Sequence, residues 1–259
     1  MDNLSICITA GEQSENHVGM QINGDGLSSK GFTVEELKNI KSILEEKNIL
    51  SEYYRLDSYL EYEDIKPAAI LIIRNGVEKL ININPDKMLE EQFTFEWDKK
   101  YWDNRRQKVL NKRARYNVCY GEKEQFPDYE NKKGTIIAYD NVPVLKKWRE
   151  SLGIFFGEKA KNLEVEGNLY YDNKKCGIGF HGDSERKKVI ACSLGEERPI
   201  EWQWYYMYKP LGDRIKFKLG NGDMYIMSEK ATGNDWKKKN IKTLRHAAGE
   251  KYVTKVKNK

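Results

Sequence analysis

The spacing of apolar residues changes character along the chain. In the first part it is helical in places. Val34, Leu37, Ile40 and Leu44 recur one turn apart behind a Thr33/Glu36 capping box, which predicts a helix over 33–47. Residues 68–74, AAILIIR, form an unbroken apolar run and read as a buried strand. Asn75-Gly76 then predicts a hairpin turn into a partner strand over 77–83. A second helix is predicted over 143–152, with Asn141 as N-cap, Pro143 near N1 and an apolar face of Leu145, Trp148 and Leu152. The N-terminal stretch, rich in Gly, Ser and Asn, reads as irregular or as short strands. From residue 163 the pattern becomes one of short β-branched and aromatic segments between glycine-containing turns, at 163–171, 188–194, 200–208, 215–219, 224–227 and 252–256. Short strands with frequent turns imply a sandwich or a jelly roll.

Composition narrows the class. The chain has 259 residues and a formal charge of +5. Its longest apolar stretch, about residues 67–73, is far short of the ~20 residues a membrane-spanning helix needs. Six Trp, sixteen Tyr and eight Phe supply core-forming side chains and exclude a disordered chain. The N-terminus lacks the basic and apolar regions of a signal peptide, and the four cysteines are scattered without a CxxC, so a reduced intracellular protein is expected. The mild positive balance permits nucleic-acid binding without requiring it. Its densest run is 97–115, WDKKYWDNRRQKVLNKRAR, basic with interleaved aromatics.

Of three histidines, His17, His181 and His246, two have suggestive neighbours. His181 and Asp183 form an HxD, and residues i and i+2 of a strand point to one side. A second imidazole from an antiparallel neighbour, His246, would complete one face of an octahedron. Two histidines and one carboxylate with open positions are the ligand set of non-haem Fe(II) oxygenases. Alone, HxD is a weak motif. Here it belongs to an ordered series: Asn168-Leu169-Tyr170, then HxD with Glu185 two residues on, Ser193-Leu194-Gly195, an aromatic strand over 201–208, Gly222-Asp223 and the distal His246.

Over roughly residues 110–259 this series resembles the AlkB family of 2-oxoglutarate/Fe(II) dioxygenases, which remove alkyl groups from nucleobases oxidatively. The resemblance implies an α+β fold with a double-stranded β-helix (jelly roll) core behind an α/β N-terminal region. The division it implies is 1–95, with no role assigned, and 96–259, made of a nucleotide-recognition lid and helix (96–160) and the core (161–259). It makes His181, Asp183 and His246 the Fe(II) ligands, and Asn168 and Tyr170, or neighbouring Tyr171, hydrogen-bonding partners of 2-oxoglutarate. In the family an arginine after the distal histidine takes the far carboxylate of 2-oxoglutarate. No arginine follows His246, so Lys255, then Lys257 and Lys251, are the expected cations, with Arg245 and Arg198 next in order. The lid-like segment implies substrate contacts from Arg113, Arg115, Tyr116 and Tyr120, the alternative being an ordinary basic strand with core tyrosines, and Glu185 and Trp236 are further expected substrate contacts. The connection from Gly222-Asp223 to His246 carries Trp236, Lys237, Lys238 and Lys239, and reads as a solvated basic loop or as a substrate loop. The implied activity is oxidative dealkylation of bases in DNA or RNA. The alternatives are a hydroxylase of a protein side chain or of a nucleobase C-methyl group, and a non-catalytic nucleic-acid-binding β-protein.

Overall fold

The computed structural model describes residues 3–62 and 64–249. In chain order its strands are β1 (Ser5–Gly11), β2 (Ser14–Glu15), β3 (Ile22–Asn23), β4 (Glu52–Arg55), β5 (Ala69–Ile73), β6 (Lys100–Asp103), β7 (Lys108–Asn111), β8 (Tyr116–Gly121), β9 (Ile136–Ala138), β10 (Glu164–Tyr170), β11 (Ile178–His181), β12 (Val189–Gly195), β13 (Arg198–Tyr206), β14 (Lys209–Leu219), β15 (Met224–Met227) and β16 (Thr243–Ala248). The helices are α1 (Val34–Glu46), α2 (Gly76–Ile81), α3 (Pro85–Glu91), α4 (Pro143–Phe156) and α5 (Glu229–Thr232). The fold is α+β and mostly sheet.

Strand alternation builds three layers. The larger sheet runs β4-β5-β15-β12-β1-β10-β8-β9, and the smaller runs β11-β16-β13-β14. On the larger sheet Ile6, Ile8, Leu71, Ile190 and Ile226 face the helices, where they meet Leu37, Leu44, Leu145 and Trp148. Their neighbours one residue away, among them Cys7, Ile70, Ala191 and Tyr225, face the smaller sheet and pack with Ile200, Trp202, Trp204 and Leu244. A strand buried on both faces loses the polar alternation that marks a half-exposed one, which is why AAILIIR reads as a continuous apolar run.

The capping box of α1 forms as expected: Glu36 N–H donates to Thr33 Oγ1 at 3.1 Å, and Thr33 N–H donates to the Glu36 carboxylate at 2.7 Å. Three other expectations are corrected. Asn75-Gly76 does not turn a hairpin; Asn75 adopts a left-handed conformation (φ 51°) and starts α2. Val77, Leu80 and Ile81 bury at helical spacing there, and Asn75 N–H is held by Asp223 Oδ1 at 2.9 Å. Asn141 is not the N-cap of α4, a place taken by Val142, which offers no side-chain cap. The cap arrives from another helix instead: the Glu91 carboxylate accepts the Val144 and Leu145 N–H groups at 2.7 and 3.0 Å.

The third correction concerns organisation. Residues 1–95 are not a unit apart from the rest, because β1 lies between β10 and β12, antiparallel to both, and β4 and β5 continue the same sheet beyond β15. The N-terminal stretch therefore contains a central strand. Seven apolar and small residues, SICITAG, form it, and every one is buried. The strand expected over 252–256, with Lys251, Lys255 and Lys257, lies outside the described residues.

Candidate metal centre and its cleft

β11 ends on His181, and β16 brings His246 directly opposite it in antiparallel register, where β13 adds Trp202 as the neighbour of His246. Asp183 sits just past the strand end and donates its N–H to Thr232 O at 3.0 Å, at the close of α5. This approach requires glycine: a Cβ on Gly182 would stand 1.9 Å from the Gly233 carbonyl oxygen. Nε2 of each histidine lies 3.6 Å from Asp183 Oδ1, and the imidazole centroids are 4.4 Å apart. Distances of 3.6 Å are too long for hydrogen bonds. They approach the ~3.0–3.4 Å that separates two ligands each ~2.1 Å from a shared ion. His181 Nδ1 lies 2.8 Å from Gly179 O, and donation there leaves Nε2 as the lone-pair atom facing the carboxylate. His246 Nδ1 finds no partner among the described residues.

The electrostatics agree with a ligand set. Burial pushes the His246 pKa well below its ordinary value, with His181 and Arg186 adding to the effect, so the ring is a neutral base. Burial raises the Asp183 carboxyl, and Arg186 opposes the shift. A cation among these three atoms would compensate the buried Asp183 carboxylate, and the neutral His246 ring keeps a lone pair to offer it. The donor set of two imidazole nitrogens and one carboxylate oxygen suits a divalent transition metal.

The cluster stands in a cleft of about 820 Å³ between the two sheets. Alternation along β10 aims Glu166, Asn168 and Tyr170 into it. Arg186, almost wholly buried, bonds Glu166 at 2.8 Å and Glu185 at 3.0 Å. Glu185 is thus bound to Arg186 beside the cluster. Asn168 Oδ1 accepts from Arg115 Nε at 2.7 Å. The Trp236 indole N–H donates to Ser184 Oγ at 3.1 Å, which ties the basic loop to the metal-ligand segment. Lys237 lines the cleft next to it, while Lys238 stands exposed to solvent. A second cavity of about 560 Å³ adjoins the first through His17 and Arg115. It is lined by Arg106, Lys112 and Arg113, with His17 stacked on Tyr101 at 3.8 Å between centroids.

Two expected substrate contacts point elsewhere. Tyr120 is fully buried on the helix side of β8, with its hydroxyl on Gln92. Tyr116 stacks on Tyr171 at 4.5 Å, and the Tyr171 hydroxyl is held by Arg113 O. Arg113 and Arg115, in the loop before β8, line the second cavity instead. Arg245 also faces away from the cleft, stacked against Tyr205 at 4.1 Å and Trp236 at 5.2 Å. Arg198, expected only after the lysines that follow His246, is the first residue of β13 and lines the cleft with Cys7, Tyr170 and Tyr225. Arg186 and Glu166 had no motif to reveal them.

The molecule is thus an α+β protein with a cleft between two sheets, in which a His-Asp-His cluster is compatible with metal binding. The chain belongs to the family of an uncharacterized protein of Acanthamoeba polyphaga mimivirus: the two are 44% identical over 253 residues, which cover 96% of this chain and 97% of that protein. No family model matches the sequence. No helix among the described residues is long and apolar enough to cross a membrane.

Proposed function

We propose that this chain is a 2-oxoglutarate- and Fe(II)-dependent dioxygenase that oxidises a C–H bond, with alkylated nucleobases of DNA or RNA as substrates. The observation that carries the reading is the convergence of His181 Nε2, His246 Nε2 and Asp183 Oδ1 on one point in an open cleft. Two facing sheets, antiparallel except where β8 pairs with β9, agree with a double-stranded β-helix core, the architecture of the AlkB-like family. When bound, Fe(II) would supply the activation of dioxygen coupled to oxidation of a 2-oxo acid. The protein's part is to hold and orient. His181 and His246 bind as neutral imidazoles, and Asp183 supplies the single negative charge. Arg186 holds both Glu166 and Glu185 by its guanidinium, so that the carboxylates beside the centre do not compete as ligands. Asn168 and Tyr170 offer an amide and a phenol to the co-substrate from one face of β10. Trp236 walls the cleft on the solvent side. The adjoining basic cavity, with its stacked His17 and Tyr101, suits a phosphate and a base.

Turnover of 2-oxoglutarate to succinate, followed with and without Fe(II), DNA and RNA, tests this reading. Asp183→Ala should abolish turnover and weaken Mn(II) binding by more than a hundredfold while leaving the melting temperature of the metal-free protein unchanged or raised, since it removes a desolvated carboxyl. Normal iron-dependent turnover in that variant would remove Asp183 from the ligand set. Turnover without any change in nucleosides by mass spectrometry would move the substrate to a protein side chain. No turnover at all, with nucleic-acid binding retained, would leave a binding protein.

A further inference from the structure

The second cavity, at about 560 Å³, falls within the ~300–1,000 Å³ of small-molecule sites. Arg106, Lys112, Arg113 and Arg115 line it, and no carboxylate does. All four cations come from one stretch, the turn of the β6–β7 hairpin and the link from β7 to β8. Among the described residues none of them is in an ion pair. Two carboxylates stand near, and both are engaged. Asp98 accepts from Asn16 Nδ2 at 2.6 Å, from the Tyr129 hydroxyl at 2.8 Å, and from the Thr135 hydroxyl and N–H at 2.6 and 2.8 Å. Asp103 accepts the backbone N–H of Arg106 at 2.7 Å, not its guanidinium. Lys112 is the most telling of the four. It is 7% exposed, and its ammonium meets only neutral acceptors, Asn16 Oδ1 at 2.7 Å and Asn16 O at 3.2 Å. An ammonium has three donors, so one N–H finds no acceptor among the described residues. Burying such a charge without an anion is unfavourable. Burial, with Lys112 and Arg115 adding to it, drives the His17 pKa down to about 4, so the ring stacked on Tyr101 stays neutral beside them.

We propose that this cavity binds a multiply charged phosphate group, the monoester or pyrophosphate of a nucleotide, in preference to a phosphate within a strand. Charge decides between them. A backbone diester carries a single negative charge, whereas a phosphate monoester carries about 1.5–2 at pH 7 and a pyrophosphate more. One charge does not compensate four cations of which one is buried. The chemistry of the donors agrees: arginine forks match pairs of phosphate oxygens, and a lysine supplies a point charge. His17 and Arg115 border the cleft as well as the cavity. A nucleotide held here by its phosphate therefore lays its sugar and base toward His181, Asp183 and His246. That last step rests on the dioxygenase reading above; the phosphate site does not. The substrate is then a free nucleotide or the phosphorylated end of a strand, which share the recognised group.

The test titrates the full chain, free of metal, by calorimetry with methyl phosphate, pyrophosphate and dimethyl phosphate, the last being a diester. Methyl phosphate and pyrophosphate should each bind roughly tenfold or more tighter than dimethyl phosphate, the worth of a hydrogen bond to a charged group. Arg106→Gln/Arg113→Gln changes two exposed positions and should weaken both by about tenfold or more, and Lys112→Met should do the same. Mn(II) affinity should stay the same in these variants. Lys47→Gln/Lys79→Gln removes equal charge from exposed positions on the helix side and should change nothing. Equal affinity for monoester and diester overturns the site, as does wild-type affinity in both cavity variants. An equal loss in the helix-side variant also overturns it, reducing the binding to non-specific attraction. AMP and an oligothymidylate with and without a 5′-phosphate then separate the two sources. AMP binding as tightly as the phosphorylated oligomer names a free nucleotide. A tighter oligomer whose advantage disappears with its 5′-phosphate names a strand end. No response to the 5′-phosphate, together with no binding of AMP, removes the proposal. Monoester binding that depends on Arg106 and Arg113 in a protein that takes no Mn(II) would sink the metal reading and leave the phosphate site standing. Turnover of 2-oxoglutarate in a protein without monoester affinity would do the opposite.

Discussion

Lys112 is a cation in a place that resists charge. It is buried, its ammonium donates to Asn16 Oδ1 at 2.7 Å, and desolvation pulls its pKa down to about 7, with Asp98 opposing the shift. In the unfolded chain it titrates near 10.5. Below pH 7 both states are protonated and the folded state bears the full burden of a buried charge. Between about 7 and 10.5 the unfolded chain binds the extra proton, so stability rises with pH across that window, by at most about 1.4 kcal/mol per pH unit. Chemical denaturation at pH 7 and pH 9 should show this gain in the wild-type protein and a much smaller one in Lys112→Met. Equal gains would assign the slope to another group. Sequence made some residues at this scale legible and hid others. The convergence of His181, Asp183 and His246 was readable because the HxD pair and the distal histidine stood in an ordered series of motifs. Arg186 was not, since a buried guanidinium is defined by what surrounds it. Tyr120 was misread because a basic, aromatic segment was treated as one surface, whereas β8 divides it between two faces.

Among the elements, α4 shows a terminus stabilised from outside its own sequence. The local reading sought a cap at Asn141, but two orphan N–H groups are met by Glu91 from the end of α3. Glu91→Ala should destabilise the fold by about 1–2 kcal/mol, the usual worth of a helix cap, as measured by urea unfolding. Glu91→Gln should recover part of it through its remaining oxygen. The α5 loop supplies a second case. Gly182→Ala would force Gly233 and the Asp183 segment apart, and we expect a loss of about 1–3 kcal/mol together with at least tenfold weaker Mn(II) binding. A variant with unchanged Mn(II) affinity would show that this contact does not set the position of Asp183. α2 marks the limit of turn signals: Asn75-Gly76 has hairpin chemistry, but the spacing of Val77, Leu80 and Ile81 and the Asp223 anchor prevail over it.

For the molecule as a whole, charge and topology lead to separate expectations. On the nucleic-acid reading, Arg106 and Arg113 of the second cavity meet phosphates, so replacing both with Gln should lower the slope of log K against log[salt] by about 1.4–1.8, at 0.7–0.9 per phosphate, without altering thermal stability. An unchanged slope would detach that cavity from nucleic acid. The α+β class and most strands after residue 163 were readable from local pattern, while the partnership of β1 was not, because no local signal encodes a pairing so distant. A chain starting at residue 12, or at residue 96, should show no cooperative thermal transition, as each leaves β10 and β12 without the strand between them. That same placement bears on biosynthesis. β1 leaves the ribosome roughly 150–190 residues ahead of the strands it must join, so this apolar segment waits unpaired through most of translation. The protein is therefore bound to finish folding only after β10 and β12 have emerged, and until then the apolar edge of β1 is an exposed, aggregation-prone segment.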